Sequence, residues 1–488
     1  TTPISNALVY RLPAGQPTGG CAMGGGLESC APLGGEPFVT NAQGYLQGRG
    51  QINRGDRLLA LAPVDWTETI AWGEGLTGTM RLYYTNGTPT EVGVDARISN
   101  TQSLTVTEPG LQQLAVSPDN PLVLFDLDVS LEWDSSNDPA YVQQLEFDLN
   151  RASQHLYDFT DGQMALGRIN VYQNTDGWGE SHITVYGSNR RRPSAAIGGI
   201  VLTDTAEIIS PGKTINYSTG QVYMGATWNR YGDPAQSIGV DWPVILAHEL
   251  GHYLLFLEDT YLGLKDFDGA KILTSVSSCQ GSAMGDVYNI NNTEFVTPTT
   301  WLPQCEETLT QEELGRSEWD VITAWYPWMK PPTNLNQGPG QMPFGLTTVA
   351  TYAPVTPTAV LVDPNFYMDY ANNEVSSSEA RAFLFRNEPG TSLDGADDYE
   401  YLFDLGSPIG GRNQLLARGA NPGDRLCVFD RPRQQYGCEV IEGGDVRLNL
   451  KADPAWQPVI KVSPVNSTTF NLEVENIPSG LDLRARIY

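Results

Sequence analysis

The chain of 488 residues holds only four histidines, and two of them lie in His248-Glu249-Leu250-Gly251-His252. Histidines four apart share one face of a helix, so both imidazoles can meet one ion at about 2.0–2.1 Å, the length of a zinc–nitrogen bond. Glu249 then falls beside a metal-bound water instead of on the metal, where a general base is needed. This spacing points to zinc-dependent hydrolysis. The competing reading is a core helix with two hydrogen-bonded histidines. Zinc requires a third protein ligand, and Glu258 and Asp259 are the nearest downstream candidates. On a continued helix Asp259 would lie seven residues, about 10.5 Å, beyond His252, too far for one ion. The chain must therefore leave the helix near residues 255–257 and fold back, in a stretch (Leu254-Leu255-Phe256-Leu257) that has no glycine. A second scheme keeps the helix and takes its ligand from a later one, at Glu313 or Glu318.

The elements that must position these residues are legible as patterns. Pro243 in a first turn, followed by Val244, Ile245, Leu246, Ala247, Leu250, Leu254 and Leu255, predicts a buried helix from about 243 to 257. Upstream, Phe125, Leu127, Val129, Leu131 and Trp133 alternate with polar residues and predict one long half-buried strand. Val142, Leu145, Leu149, Ala152, Leu156 and Phe159 then recur at helical steps, opened near Asp138-Pro139. Further strands are expected over 168–172 and 183–186. Strand, helix, strands, helix marks a mixed α/β domain over residues 116–330.

Residues 331–345, rich in Pro, Asn, Gln and Gly, read as a linker. Short strands punctuated by Gly and Pro predict β-sandwich-like modules over 1–115 and 346–488, with roughly 35 residues at the end that are too few for a module of their own. Gly55-Asp56-Arg57-Leu58 returns as Gly423-Asp424-Arg425-Leu426, a repeated turn feeding an apolar strand. Asp126, Asp128, Glu132 and Asp134 alternate along the long strand. They could hold structural calcium, but no ligand loop supports it, and a solvated face is the expectation. His155 and His182 are expected to be surface or structural residues.

Charge and cysteine narrow the setting. Twenty-nine Lys+Arg against 57 Asp+Glu give a net −28, which disfavours nucleic acid and anionic membrane surfaces as partners. No apolar run reaches the roughly 18–20 residues that span a bilayer. Only 18% of residues are charged, and Gly, Pro and Tyr abound, as in extracellular β-rich proteins. Six cysteines allow 15 connectivities. Short loop closure favours Cys21–Cys30, Cys279–Cys305 and Cys427–Cys438, the last stapling a hairpin. A secreted or cell-surface location follows, with any signal peptide already removed, because Thr-Thr-Pro-Ile-Ser has no leader character.

His248-Glu249-x-x-His252-x6-Asp259 with the following Tyr261 resembles the motif of the calcium-activated chloride channel regulator family and its bacterial relatives. Phe256 stands where that family has glycine, and Thr260 where it has glutamate. The resemblance continues over residues 120–328. Ser282-Ala283-Met284-Gly285 is similar to a Met-turn, and Cys305 and Arg316-Ser317-Glu318-Trp319-Asp320-Val321-Ile322 are similar to a downstream stretch. It implies an α+β fold with a metzincin-like zincin domain, Zn2+ on His248, His252 and Asp259, and Met284 as an apolar floor. It also implies hydrolysis of protein or peptide substrates, self-cleavage included. Glu249 is the general base, and Tyr261 and Tyr288 are candidates to contact the oxyanion or substrate. The alternative from another class is a cell-surface adhesion or assembly protein that retains the zinc site for structure or as a remnant.

Overall fold

The computed structural model describes residues 2–15, 37–47, 52–67, 76, 78–86, 103–108, 113–189, 191–230, 238–276, 279–332, 342, 344–355, 365–368, 380–387, 399–407, 415–452, 459–465 and 470–475. The chain divides into two units. The first comprises Thr1–Tyr186, Arg192–Arg230 and Ser237–Pro357, and the second Gly187–Arg191, Tyr231–Gln236 and Thr358–Tyr488. The first begins with β1 (Leu8–Leu12), β2 (Phe38–Thr40), β3 (Leu46–Gln47), β4 (Arg57–Val64), β5 (Met80–Thr85), β6 (Leu104–Thr105) and β7 (Ser117–Leu131). It continues through α1 (Pro139–Phe159), β8 (Met164–Tyr172), β9 (Ile183–Tyr186), β10 (Ser194–Ala195), β11 (Thr205–Ser210), β12 (Lys213–Tyr217) and β13 (Val222–Gly225). It closes with α2 (Trp242–Leu255), β14 (Leu262–Phe267), β15 (Ala270–Ser275), α3 (Pro298–Cys305), α4 (Leu309–Leu314), α5 (Glu318–Trp325) and β16 (Thr348–Thr351). The fold is α+β, rich in strand.

The long strand β7 organises this unit. Along one edge it runs parallel to β8, from Val123 opposite Met164 to Ser130 opposite Tyr172. Its other edge is shared, with Ser117–Phe125 antiparallel to β5 and Val129–Leu131 parallel to β9. β16, β8, β7, β9 and β13 are mutually parallel, and β10 closes the edge antiparallel to β13. α1 makes the β7–β8 crossover. Asp138 caps it by accepting from the Tyr141 N–H (3.1 Å), Pro139 sits in its first turn, and Leu145, Leu149, Ala152, Leu156 and Phe159 are buried. Burial of each of the leucines and of Phe159 contributes about 1.5–3 kcal/mol. α1 packs on β8 and β16, α2 on β13 and β10, and the two helices on each other.

Three sequence expectations are corrected here. Residues 1–115 do not stand apart from the α/β region, because β1, β4 and β5 extend the same sheet through the β5–β7 pairing. Local alternation announced strands but not the long-range partner that joins them. The linker assigned to 331–345 also fails at its end. Met342, Phe344 and Leu346 pack with Leu12, Leu59, Leu61, Leu122 and Leu124, and β16 adds to β8, so the first unit reaches Pro357. Finally, the acidic row of β7 is no solvated face. Asp126 is buried and takes both Arg81 and Arg168 at 2.6 Å, Asp128 accepts from Asn170 (2.8 Å), and Glu132 and Asp134 are buried. His182 is structural as expected, its Nδ1 accepting from the Asp128 N–H (2.9 Å). His155 is buried as well, in keeping with a structural residue.

The second unit holds β17 (Asn365–Met368), β18 (Ala380–Asn387), β19 (Tyr399–Gly406), β20 (Arg425–Asp430), β21 (Gln435–Val440), β22 (Arg447–Ala452), β23 (Val459–Pro464) and β24 (Phe470–Glu475). The first six form one sheet in the order β17-β22-β21-β20-β18-β19, and the last two a hairpin. Cys427 and Cys438 face each other across β20 and β21 and are bonded. The Gly-Asp echo is a structural repeat. Asp56 and Asp424 each accept from the N–H three residues back (Asn53 and Asn421, both 2.7 Å), and each takes an arginine (Arg11, Arg386). In each, the preceding glycine has a left-handed φ (90° and 96°). No helix is long and apolar enough to cross a membrane among the described residues.

Candidate metal centre

α2 is apolar on every side, and of its fourteen residues all but Val244 are buried, the pattern of a helix enclosed by its own protein. It stops at Leu255, because Phe256 adopts a left-handed φ of 62° and its N–H turns back to the Gly251 carbonyl. A non-glycine residue in that conformation costs about 1–2 kcal/mol. Packing offsets it. The Phe256 ring is fully buried, stacks on Trp325 at 3.8 Å and meets Tyr217 edge-on at 5.0 Å. Gly198 makes room for it, since a Cβ there would lie 2.4 Å from Phe256 Cδ1. The carbonyls of residues 251 to 254, near the end of α2, are all satisfied. Gly251 accepts from Phe256 and Leu257, His252 from Gly198 (2.8 Å), Tyr253 from Ile200 (3.4 Å) and Leu254 from the Tyr326 hydroxyl (2.6 Å).

The turn brings Asp259 back over the histidines. Its Oδ1 lies 3.2 Å from His248 Nε2 and 3.3 Å from His252 Nε2, and the three ligand atoms all lie within 4.8 Å of one another. Each imidazole is oriented from behind, His248 Nδ1 on the Ala283 carbonyl (2.9 Å) and His252 Nδ1 on the Leu257 carbonyl (2.6 Å). Carbonyls only accept, so both Nδ1 atoms carry hydrogen, and in the neutral rings both Nε2 lone pairs point at Asp259. Asp259 Oδ1 is itself buried without a hydrogen-bond partner. Three acceptors thus converge on a point where a cation is the natural partner. A tetrahedral ion with ligands at about 2.0–2.2 Å sets its ligand atoms about 3.3–3.6 Å apart, close to the two distances found. The residues fit a divalent metal of the zinc type.

The electrostatics agree. In the metal-free cluster burial opposes the charge of Asp259, but the two histidines, acting as donors and charges in place of an ion, outweigh it and hold the carboxyl far below its ordinary value. Burial likewise opposes the His252 cation, yet Asp259 lifts it to about 9. Glu249 is 5% exposed, and its carboxyl is raised, chiefly by burial, with Asp259 adding to the rise and the histidines and Arg192 opposing it.

Met284 is fully buried beneath α2, where its Sδ would be 2.6 Å from a Cβ on Gly251. Tyr261 lies beside Asp259, and burial first, then that carboxylate, raises its hydroxyl. Tyr288 accepts from Trp228 Nε1 (2.7 Å) under the Arg230 guanidinium (4.8 Å); burial raises it, and the charge of Glu249 adds to the rise. The other ligand candidates are placed elsewhere. Glu258 lies outside the converging set, Glu313 pairs with Lys213 (3.1 Å), and Glu318 is fully buried against Ser282 and Val296, its carboxyl pushed up to about 7 by burial. Cys279 and Cys305 are bonded, while Cys21 and Cys30 lie outside the described residues.

Sequence reasoning missed Gly198, Trp325 and Tyr217 as the enclosure of the turn. Nothing in their spacing announces it. No protein-family model, curated protein or solved structure matches the chain. The fold and the site by themselves define an α+β protein in which two buried histidines and a half-buried aspartate form a cluster that could hold a metal ion.

Proposed function

We propose that the protein is a secreted zinc-dependent endopeptidase of metzincin-like architecture. The observation that carries this reading is the convergence of His248 Nε2, His252 Nε2 and Asp259 Oδ1 beside Glu249. The Met284 floor, the turn at Phe256 and the five parallel strands closed by an antiparallel edge support it. Two disulfides among the described residues support an oxidising location.

Zinc held by His248, His252 and Asp259 would supply Lewis acidity and so lower the pKa of water towards about 7. Glu249, whose carboxyl is raised chiefly by burial, would accept a proton from water and deliver it to the leaving amine nitrogen. β10 is the terminal strand of its sheet and packs against α2, so its outer backbone can receive an extended peptide as a further strand. Tyr288, whose oxygen already accepts from Trp228, keeps its own hydrogen to donate to a developing oxyanion.

The test is Glu249→Gln, which removes the base and none of the ligands. Both proteins should hold about one equivalent of zinc, and the variant should lose about 100- to 10,000-fold in hydrolysis of a denatured protein. Zinc-loaded wild type as inert as the variant, towards that substrate and its own chain, refutes the endopeptidase and leaves the adhesion or assembly reading.

A further inference from the structure

We infer that Glu318 and Ser282 are positioning residues for the metal centre, holding two of its ligands through one hydroxyl. The inference rests on the metal reading above. Ser282 Oγ accepts from the Met284 N–H (3.0 Å) and from Thr260 Oγ1 (3.0 Å). Two acceptances leave a hydroxyl one hydrogen to give, and Ser282 gives it to Glu318 Oε1. The other carboxylate oxygen takes the Val296 N–H (2.5 Å). Both partners of Glu318 are donors, so only a group with two acceptor oxygens satisfies them. Ser282 and Glu318 are fully enclosed, as is Thr260, and water cannot replace a lost bond.

What hangs on this hydroxyl is the ligand set. Thr260 follows Asp259 directly and is tied to the same turn a second time, its N–H donating to the Met284 carbonyl (2.9 Å). Ala283, between Ser282 and Met284, carries the carbonyl that orients His248. One serine therefore fixes the third ligand from the front and the first histidine from behind. Glu318 opens α5, whose N-terminus is pinned by a reciprocal Ser317–Asp320 capping box, so the anchor is on a rigid element.

Ser282→Ala and Thr260→Val separate this role from general stability. The first removes the hub, and the second removes one hydroxyl at nearly constant shape. Zinc affinity is read by competition with a chelator, and coordination geometry by the visible absorption of the cobalt-substituted protein. Ser282→Ala should bind zinc about 10–100-fold more weakly, with an altered cobalt spectrum, as removal of an outer-shell partner does elsewhere. Thr260→Val should show the same change to a smaller degree. Variants that melt earlier as apoproteins yet bind zinc with wild-type affinity and an unchanged cobalt spectrum overturn the inference. If Ser282→Ala does not fold, Thr260→Val decides alone. Wild type that binds no zinc refutes the metal reading itself, and this inference with it, and is distinguished by failing before any substitution.

Discussion

Replacing Phe256 by the glycine that its backbone conformation favours should destabilise the protein. The φ of 62° is relieved by Gly, which recovers about 1–2 kcal/mol. Against this stands a fully buried ring stacked on Trp325 and flanked by Tyr217, and removing such a ring costs about 3–5 kcal/mol in transfer and cavity terms. The net expectation for Phe256→Gly is a loss of about 1–4 kcal/mol. Urea unfolding of the metal-free protein, followed by tryptophan emission, measures it. Gly198→Ala completes a cycle. In the wild type its methyl would lie 2.4 Å from the ring, whereas once the ring is gone the contact with Tyr217 Cδ1 (2.8 Å) and the strain of its own left-handed φ of 63° remain. The cost of Gly198→Ala should therefore shrink in the Phe256→Gly background. A Phe256→Gly variant as stable as the wild type, or a Gly198→Ala cost that does not change, refutes the argument that packing sustains this turn.

Asp259→Ala should abolish tight zinc binding while Glu258→Ala leaves most of it, since only Asp259 belongs to the converging set; equal losses in chelator competition would count against the assignment. Asp148 is buried on α1, and burial raises its carboxyl to about 6 despite Gln144 and Arg151. A raised folded pKa favours the protonated form, so its contribution is fully present below about 4 and is lost as pH rises through about 6. Asp148→Asn should accordingly gain stability over wild type across that window, by up to about 3 kcal/mol, and a gain independent of pH in urea unfolding would refute the assignment. A double Ala substitution of Cys427 and Cys438 opens their loop in the unfolded chain and should cost the second unit about 3 kcal/mol, read as an earlier calorimetric transition.

Much of the candidate site is legible in the sequence because its signals are local. The α1 periodicity with its Asp138 cap, the α2 histidine pair and the necessity of a turn before Asp259 all follow from spacing within about one or two helical turns. What escapes depends on partners far along the chain. Asp126 reads as solvated because Arg81 and Arg168 stand 45 and 42 residues away. Glu318 could be named as a candidate ligand, but only the fold shows its two oxygens committed to Ser282 and Val296. The missing turn glycine reads as a defect, and its remedy lies at Gly198, Tyr217 and Trp325, which no local rule connects to residue 256.

The shared edge of β7 bears on how the protein can be divided. Its fifteen residues extend about 50 Å, and the half from Ser117 to Phe125 has β5 as its neighbour on one side. A fragment that starts at residue 116 strips that neighbour away and bares a row of backbone donors and acceptors next to Leu122 and Leu124, side chains almost without exposure in the intact unit. Ending the fragment at 335 also deprives β8 of β16. Open apolar edges of this kind recruit other chains, so the excised region would be expected to aggregate. A cut after Pro357 keeps both of these strands covered, but it takes from Asn189, which groups with the second unit, the Leu405 carbonyl to which it donates.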